Sequence, residues 1–542
     1  MSPVLRIFLL WRRQAGWLLF GTLLFLASLA AGLALMGASG RYIALSLLGG
    51  AVLVPAVLQY IGAARVVLRY LERVFTHEAM FRALAGLRIW LFTGLARSAA
   101  GGLGYRRAGD ALARLVNDVD ALDGLLLRIF LPLLGAVLMT PVLALLLWHE
   151  QHWALAGLAP FAFVAFYLPM LAARAAAANG ARAGLAMSGL RSAALDALSG
   201  LREVKIYAAE GRMLAAVQAR EAAYLAAQRE LVGQTSALNA VAFVVAQAGL
   251  LLAMLIGISG APVITIITVF VLITAFETVL GLPRAGLLYG HARAAAARVV
   301  EAATAAPQVP APVAPVPMPA GNAIAFEHVS FRYADDLPFV FENLSLQLPA
   351  GSRTAILGPS GAGKSTVAAL LLKLIAPASG QIRIGTADLA ALPSEAVRHR
   401  IAYLGQTTHL FADTIRNNLL LGDPTADDAK LWAALEAAQL AQTIRELPEG
   451  LDTWLGEGGQ NISGGQGRRL ALARTLLSAA PILLLDEPCA GLDADTETEF
   501  MKVLNTATQG RTVVLIAHRL TGVEQLDRIW RLTGGTLMAA MG

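Results

Sequence analysis

Residues 358–366, Gly-Pro-Ser-Gly-Ala-Gly-Lys-Ser-Thr, complete the pattern G-x-x-x-x-G-K-[ST]. They follow a β-rich run ending at Leu357 and precede a helical run, Val367–Leu374, which is the setting this pattern needs to hold phosphates. Gly358, Gly361 and Gly363, with Ser360 among them, let backbone N–H groups wrap a polyphosphate. Lys364 supplies a point charge to the β- and γ-phosphates, and Ser365 offers an oxygen to Mg²⁺. Thr366 opens the following helix, whose N-terminal dipole favours anions. A second run, Ile482-Leu-Leu-Leu-Asp486-Glu487, reads as a buried strand ending in two carboxylates. Asp486 suits the Mg²⁺ shell, and Glu487 is placed to polarise an attacking water. The two runs together imply a chain that uses ATP and Mg²⁺.

These residues need a strand–turn–helix frame. From residue 323 to 542, short β-rich runs at 323–331, 353–357, 482–485 and 512–516 alternate with helical patterns. That alternation predicts an α/β P-loop domain with a largely parallel sheet. Residues 306–322 are rich in Pro and Ala and read as an extended linker. The sole cysteine, Cys489, permits no intrachain disulfide framework and reads as a small buried residue.

Residues 1–305 are of another kind. The chain is 57% hydrophobic, with a mean hydropathy of +0.61. Six apolar stretches, about 16–37, 46–68, 127–148, 153–172, 237–258 and 263–283, are each long enough to span a bilayer. Three short gaps pair them, and only Arg41 among all the Lys and Arg falls in a gap. The positive-inside rule therefore places the N-terminus, the long stretches 69–126 and 173–236 and the ATPase domain in the cytoplasm. The net charge of +6 is read as anchoring at span ends, and no nucleic-acid partner is expected. Residues 3–13 predict an amphipathic helix at the cytoplasmic interface. The long stretches keep helical periodicity, with chain reversals expected at 100–104, leading to Gly109-Asp110, and from Ser199-Gly200 to Gly211.

Arg65, Arg69, Arg73 and His77 recur every four residues at the cytoplasmic end of the second span, so they are expected on one helix face. Two readings stand side by side. One is ordinary positive-inside anchoring. The other is a site for an anionic ligand, with Arg for carboxylates and His77 as a metal or haem-iron ligand.

Ile462-Ser463-Gly464-Gly465-Gln466, some 20 residues before the Asp-Glu pair, resembles the signature of ABC ATPases. Ser463 reads as a helix N-cap that offers a hydroxyl, bare amides and a helix dipole to a phosphate. The resemblance implies that this element faces ATP held by a second ATPase domain. It also implies that Tyr333 stacks on adenine, Gln406 senses Mg²⁺ and contacts the membrane part, Asp493 crosses the domain interface, and His518 reaches the γ-phosphate. Ile462 stands where the family has Leu, and Ala490-Gly491 where it has Ser-Ala; neither change removes a reacting group.

The run from Arg69 to Arg82, then Leu87–Phe92, Gly109–Asp123 and Leu127-Arg128, resembles the CydC-type subunit of the heterodimeric exporter required for cytochrome bd assembly. The resemblance implies a six-span type I ABC exporter fold in the bacterial inner membrane, a CydD-type partner, export of cysteine and glutathione to the periplasm, and a role for haem b at Arg73 and His77. Two alternatives remain: a homodimeric lipid, peptide or drug exporter, and a haem-binding ATP-dependent sensor without transport.

Overall fold

The computed structural model describes residues 2–47, 56–98, 114–147, 151–258, 262–407, 409–489 and 494–539. It divides into two compact units, whose described residues are 2–97 with 114–305, and 306–539 together with Ser98.

The first unit is helical and, among the described residues, contains six helices long and apolar enough to cross a membrane. Helix α1 (Pro3–Leu10) begins at an N-cap Ser2 and runs through a short 3-10 turn into α2 (Ala15–Leu47). Its face at Val4 and Ile7 is buried, with Trp11, against Met80, Leu84, Leu87 and Val299. The expected interfacial helix thus packs one face on protein and leaves Leu5 and Leu9 exposed. Helix α3 (Ala56–Ser98) follows, then α4 (Leu131–Leu147), α5 (Gln151–Ala162) and α6 (Leu168–Ser199). A short α7 (Leu201–Ile206) occupies the reversal foreseen after Ser199-Gly200, before α8 (Glu210–Gly257), α9 (Pro262–Val279) and α10 (Leu282–Ala303). The first reversal, at 100–104 and 109–110, lies outside the described residues.

At about 1.5 Å per residue the 48 residues of α8 run about 72 Å, more than twice the ~30 Å hydrocarbon core. The periodicity of the long stretches is therefore that of spans continuing past the membrane. Small residues let these helices approach. Ala242, Ala246, Gly249, Ala253 and Gly257 form the buried stripe of α8, and a Cβ at Gly249 would lie 2.9 Å from Pro160. Stripes of this kind are the usual contact between helices in lipid, where apolarity alone gives no preference for protein.

The second unit has two sheets. Strands β1 (Ile324–Phe331), β2 (Phe341–Leu348), β4 (Ser379–Ile384) and β5 (Ala387–Asp388) make an antiparallel sheet in the order β2-β1-β4-β5. The second sheet has the order β10-β9-β3-β8-β7-β6, with β3 (Arg353–Leu357), β6 (Ile401–Leu404), β7 (Ile482–Asp486), β8 (Thr512–Ala517), β9 (Arg528–Thr533) and β10 (Thr536–Ala539). It is parallel except for the edge pair β9–β10. The run at 323–331 thus belongs to the antiparallel sheet, a separate layer that alternation with helices does not announce. All five residues of β7 are buried, as a central parallel strand requires. Helices α11 (Lys364–Leu371) and α12 (Gly464–Leu477) begin at the two glycine-rich motifs.

Candidate functional site

The phosphate loop lies between β3 and α11. A Cβ at Gly358 would sit 2.3 Å from the Leu532 carbonyl oxygen, and one at Gly363 (φ +97°) would meet the Phe341 ring at 2.6 Å. Both positions exclude side chains, so glycine there follows from packing as well as from the phosphate. Ser360 and Gly361 are exposed at the loop crest.

Lys364 Nζ donates to the carbonyls of Gly358 (2.8 Å) and Pro359 (3.0 Å). Burial lowers its pKa, and Glu487 and Asp486 oppose that. Ser365 Oγ donates to Asp486 Oδ2 at 3.0 Å. Asp486 is 1% exposed; burial pushes its carboxyl up, against the Ser365 hydroxyl bond. A hydroxyl and a carboxylate oxygen adjacent at the end of a buried strand are hard donors of the kind Mg²⁺ takes, with substrate phosphates and waters completing its shell. The residues present therefore fit Mg²⁺, which when bound would bridge and neutralise phosphate oxygens.

Glu487 is the hub of the site. Its backbone is left-handed at φ +50°, a conformation that costs a non-glycine residue about 1–3 kcal/mol and is held here by surrounding bonds. The Glu487 N–H donates to Ile516 O at 2.8 Å. One carboxylate oxygen accepts from Gln406 Nε2 at 2.9 Å, and the other lies 2.7 Å from His518 Nε2. The other nitrogen of His518, Nδ1, lies 3.1 Å from Gly358 O and 3.5 Å from Lys364 Nζ. Lys364, Ser365, Asp486, Glu487, Gln406 and His518 thus form one connected cluster drawn from distant parts of the sequence. Tyr333, its ring 58% exposed, bonds Thr366 Oγ1 through its hydroxyl at 2.9 Å. Asp493 lies outside the described residues. Cys489 is half-buried, and burial pushes its thiol up to about 12.

Ser463 caps α12 in a capping box: its hydroxyl accepts from Gln466 N–H at 3.3 Å, and its own N–H donates to Gln466 Oε1 at 2.9 Å. Gly464 faces open space, so the first-turn amides are accessible to an anion. On the same helix sits Arg468, 5% exposed, which sequence reasoning passed over. Its guanidinium donates to the carbonyls of Gly405 (2.8 Å), Gln406 (2.6 Å), Asp486 (3.0 Å), Pro488 (3.1 Å) and Glu487. In the sequence it stands beside Arg469, and the pattern does not tell the buried guanidinium from the other.

In the first unit the row of basic residues is slanted. Four residues advance an α-helix by about 400°, so each step of four turns the row about 40°. Arg65 packs against α9, with 19% of its side chain exposed, while Arg69, Arg73 and His77 are exposed. Arg65 and Arg69 lie 3.6 Å and 3.9 Å from Glu277 of α9, a residue the sequence reading did not single out. His77 Nδ1 lies 2.8 Å from Arg73 O, and its ring meets Phe81 edge-on.

A six-span helical unit and a P-loop domain with a signature helix define an ATP-hydrolysing membrane transporter. Residues 18–282 match the ABC transporter transmembrane region and residues 341–490 the ABC transporter domain. The chain belongs to the ABC exporter family, as a multi-pass inner-membrane half-transporter of the CydC type. It is 31% identical to the glutathione/L-cysteine transport system ATP-binding/permease protein CydC of Escherichia coli (strain K12), over 99% of this chain and 96% of that protein. It is 41% identical to an ATP-dependent lipid A-core flippase of Ralstonia nicotianae, over 40% of this chain and 37% of that protein. Among solved structures, an ATP-bound bacterial Atm1-family ABC exporter matches with a TM-score of 0.82 at 25% identity, over 97% of this chain and 94% of that one.

Proposed function

We propose that this chain is one subunit of a heterodimeric exporter that moves reduced thiols, cysteine and glutathione, from cytoplasm to periplasm. The observation that carries the reading is the near-complete coverage of the glutathione/L-cysteine transporter relative, against the partial coverage of the lipid A-core flippase. A match over both units includes the membrane helices, where cargo is chosen. In this reading Gly358, Ser360, Gly361, Gly363, Lys364 and Thr366 cradle the ATP phosphates, and Tyr333 stacks on adenine. Ser365, Gln406 and Asp486 hold Mg²⁺. Glu487 polarises the attacking water, and Gln406 and His518 orient it through the bonds described above. Ser463, Gly464, Gly465, Gln466 and Asp493 serve the ATP of the partner chain, a CydD-type subunit.

ATP-dependent uptake of labelled cysteine and glutathione into inside-out vesicles tests this. Uptake is expected only when the chain is co-expressed with its partner, and is expected to fall to background in Glu487→Gln, which still binds ATP. Turnover of the Glu487→Gln protein at the parent rate would remove Glu487 from its role. ATPase activity stimulated by lipid A but by no thiol would transfer the cargo to the flippase class.

A haem-linked role in cytochrome bd assembly is the second part of the proposal. With Nδ1 of His77 held by the Arg73 carbonyl, Nε2 is the nitrogen that can reach an iron, and Arg73 suits a propionate. His77→Ala is expected to abolish the haem absorbance of the purified protein while leaving basal ATPase activity within about twofold. An unchanged haem spectrum would refute the assignment.

A further inference from the structure

Helix α9 reads Pro-Val-Ile-Thr-Ile-Ile-Thr-Val-Phe-Val-Leu-Ile-Thr-Ala-Phe-Glu-Thr-Val, and Glu277 is its single charge. From Pro262 to Glu277 the helix rises about 22 Å, so a ~30 Å hydrocarbon core that begins at Pro262 would still contain the carboxylate. Its side chain is 57% exposed. A carboxylate at such depth is costly unless it faces a water-filled path or a partner, and residues of this kind mark substrate routes. Arg65 and Arg69 lie near it, but at 3.6 Å and 3.9 Å neither forms a hydrogen bond to it. Their donors and the acceptors of Glu277 are therefore not spent on one another. Thr274, one helical turn earlier, is 4% exposed, and its hydroxyl has no hydrogen-bond partner. A Cβ at Gly32 would lie 3.3 Å from Arg65 Nε and 3.6 Å from the Thr274 methyl group, so the guanidinium and the threonine both pack against α2 at Gly32.

We propose that Arg65, Arg69, Glu277 and Thr274 form a dipolar site for the α-amino-acid head of the cargo. The guanidiniums take the carboxylate, in the planar paired geometry that suits arginine. Glu277 and the Thr274 hydroxyl take the ammonium. Two guanidiniums against one carboxylate leave one positive charge, which matches the additional carboxylate of glutathione. The site deepens the thiol-export reading and rests on it for the cargo's identity; its own chemistry selects the zwitterion, not the sulfur.

The test uses the full chain in its complex, in lipid nanodiscs, with ligand-dependent ATPase stimulation as the readout. The probes are L-cysteine, N-acetyl-L-cysteine (no ammonium), cysteamine (no carboxylate) and L-serine (no thiol). In the parent protein L-cysteine is expected to act at about tenfold or more lower concentration than either truncated analogue, the scale of one charge-assisted hydrogen bond. Glu277→Gln is expected to erase the advantage over N-acetyl-L-cysteine while keeping that over cysteamine, and Arg65→Gln with Arg69→Gln the reverse. These are ratios within one preparation, so partial unfolding does not mimic them. Equal loss for all probes in Glu277→Gln, or no preference for zwitterions in the parent, overturns the site. A response to L-serine and L-cysteine alike that depends on Glu277 sustains the site and rejects thiol selection.

Discussion

Arg468 shows how one residue can tie a catalytic site together without touching a reacting atom. Burying a guanidinium is costly unless its donors are satisfied, and here five backbone carbonyls from two separate turns satisfy it. One turn carries Gly405 and Gln406, the other Asp486, Glu487 and Pro488. Arg468 therefore fixes the distance between the Gln406 amide and the Glu487 carboxylate that it meets. A lysine has three donors on one atom and cannot reproduce the fork. Arg468→Ala is expected to lower ATP turnover about 10²-fold, the scale of a ~1 Å misplacement of a catalytic group, and Arg468→Lys to restore only part of the loss. Because the five carbonyls named above lie outside the phosphate loop, the KM for ATP should stay within about twofold. A rise in KM with unchanged kcat would assign Arg468 to nucleotide binding instead of positioning.

At the scale of elements, the sequence is most legible where the physics is local. Strand β3, helix α11 and strand β7 emerge close to their expected places because glycine spacing and uninterrupted apolar runs suffice to specify them. The spans are legible for the same reason, since a bilayer demands length and apolarity and little else. The antiparallel sheet was hidden because β1 pairs both with β2, next in the chain, and with the distant β4, as in Ile324 with Ile384, and a single β-rich run does not disclose its partners. Glu277 was hidden because one acid in an apolar helix has no pattern; only the packing of α9 beside α3 brings it to Arg65 and Arg69. Non-α turns at Leu125–Phe130 and Phe163–Tyr167 also escaped, although the second falls between Pro160 and Pro169. Prolines remove helical donors, and the ladder widens to re-satisfy neighbouring groups.

For the whole molecule, the decisive feature is that the signature helix is finished locally yet keeps its amides available. The capping box joins Ser463 to Gln466 within α12, whereas Lys364, Ser365, Asp486, Glu487, Gln406 and His518 bond among themselves. In the proposed exporter these two half-sites call for a dimer in which each ATP is bound by the phosphate loop of one subunit and the signature of the other. That arrangement makes a prediction that a self-contained ATPase would not. In the complex with its partner, Lys364→Ala should abolish photolabelling of this chain by an azido-ATP analogue and leave labelling of the partner chain. Ser463→Arg should do the opposite, because it places a bulky cation where the partner's γ-phosphate would sit, while Lys364 remains intact. Trapping of nucleotide after hydrolysis, measured on each chain separately, should follow the same crossed pattern. If Ser463→Arg instead removes label from its own chain and spares the partner, the signature serves its own phosphate loop and the shared-site architecture is wrong.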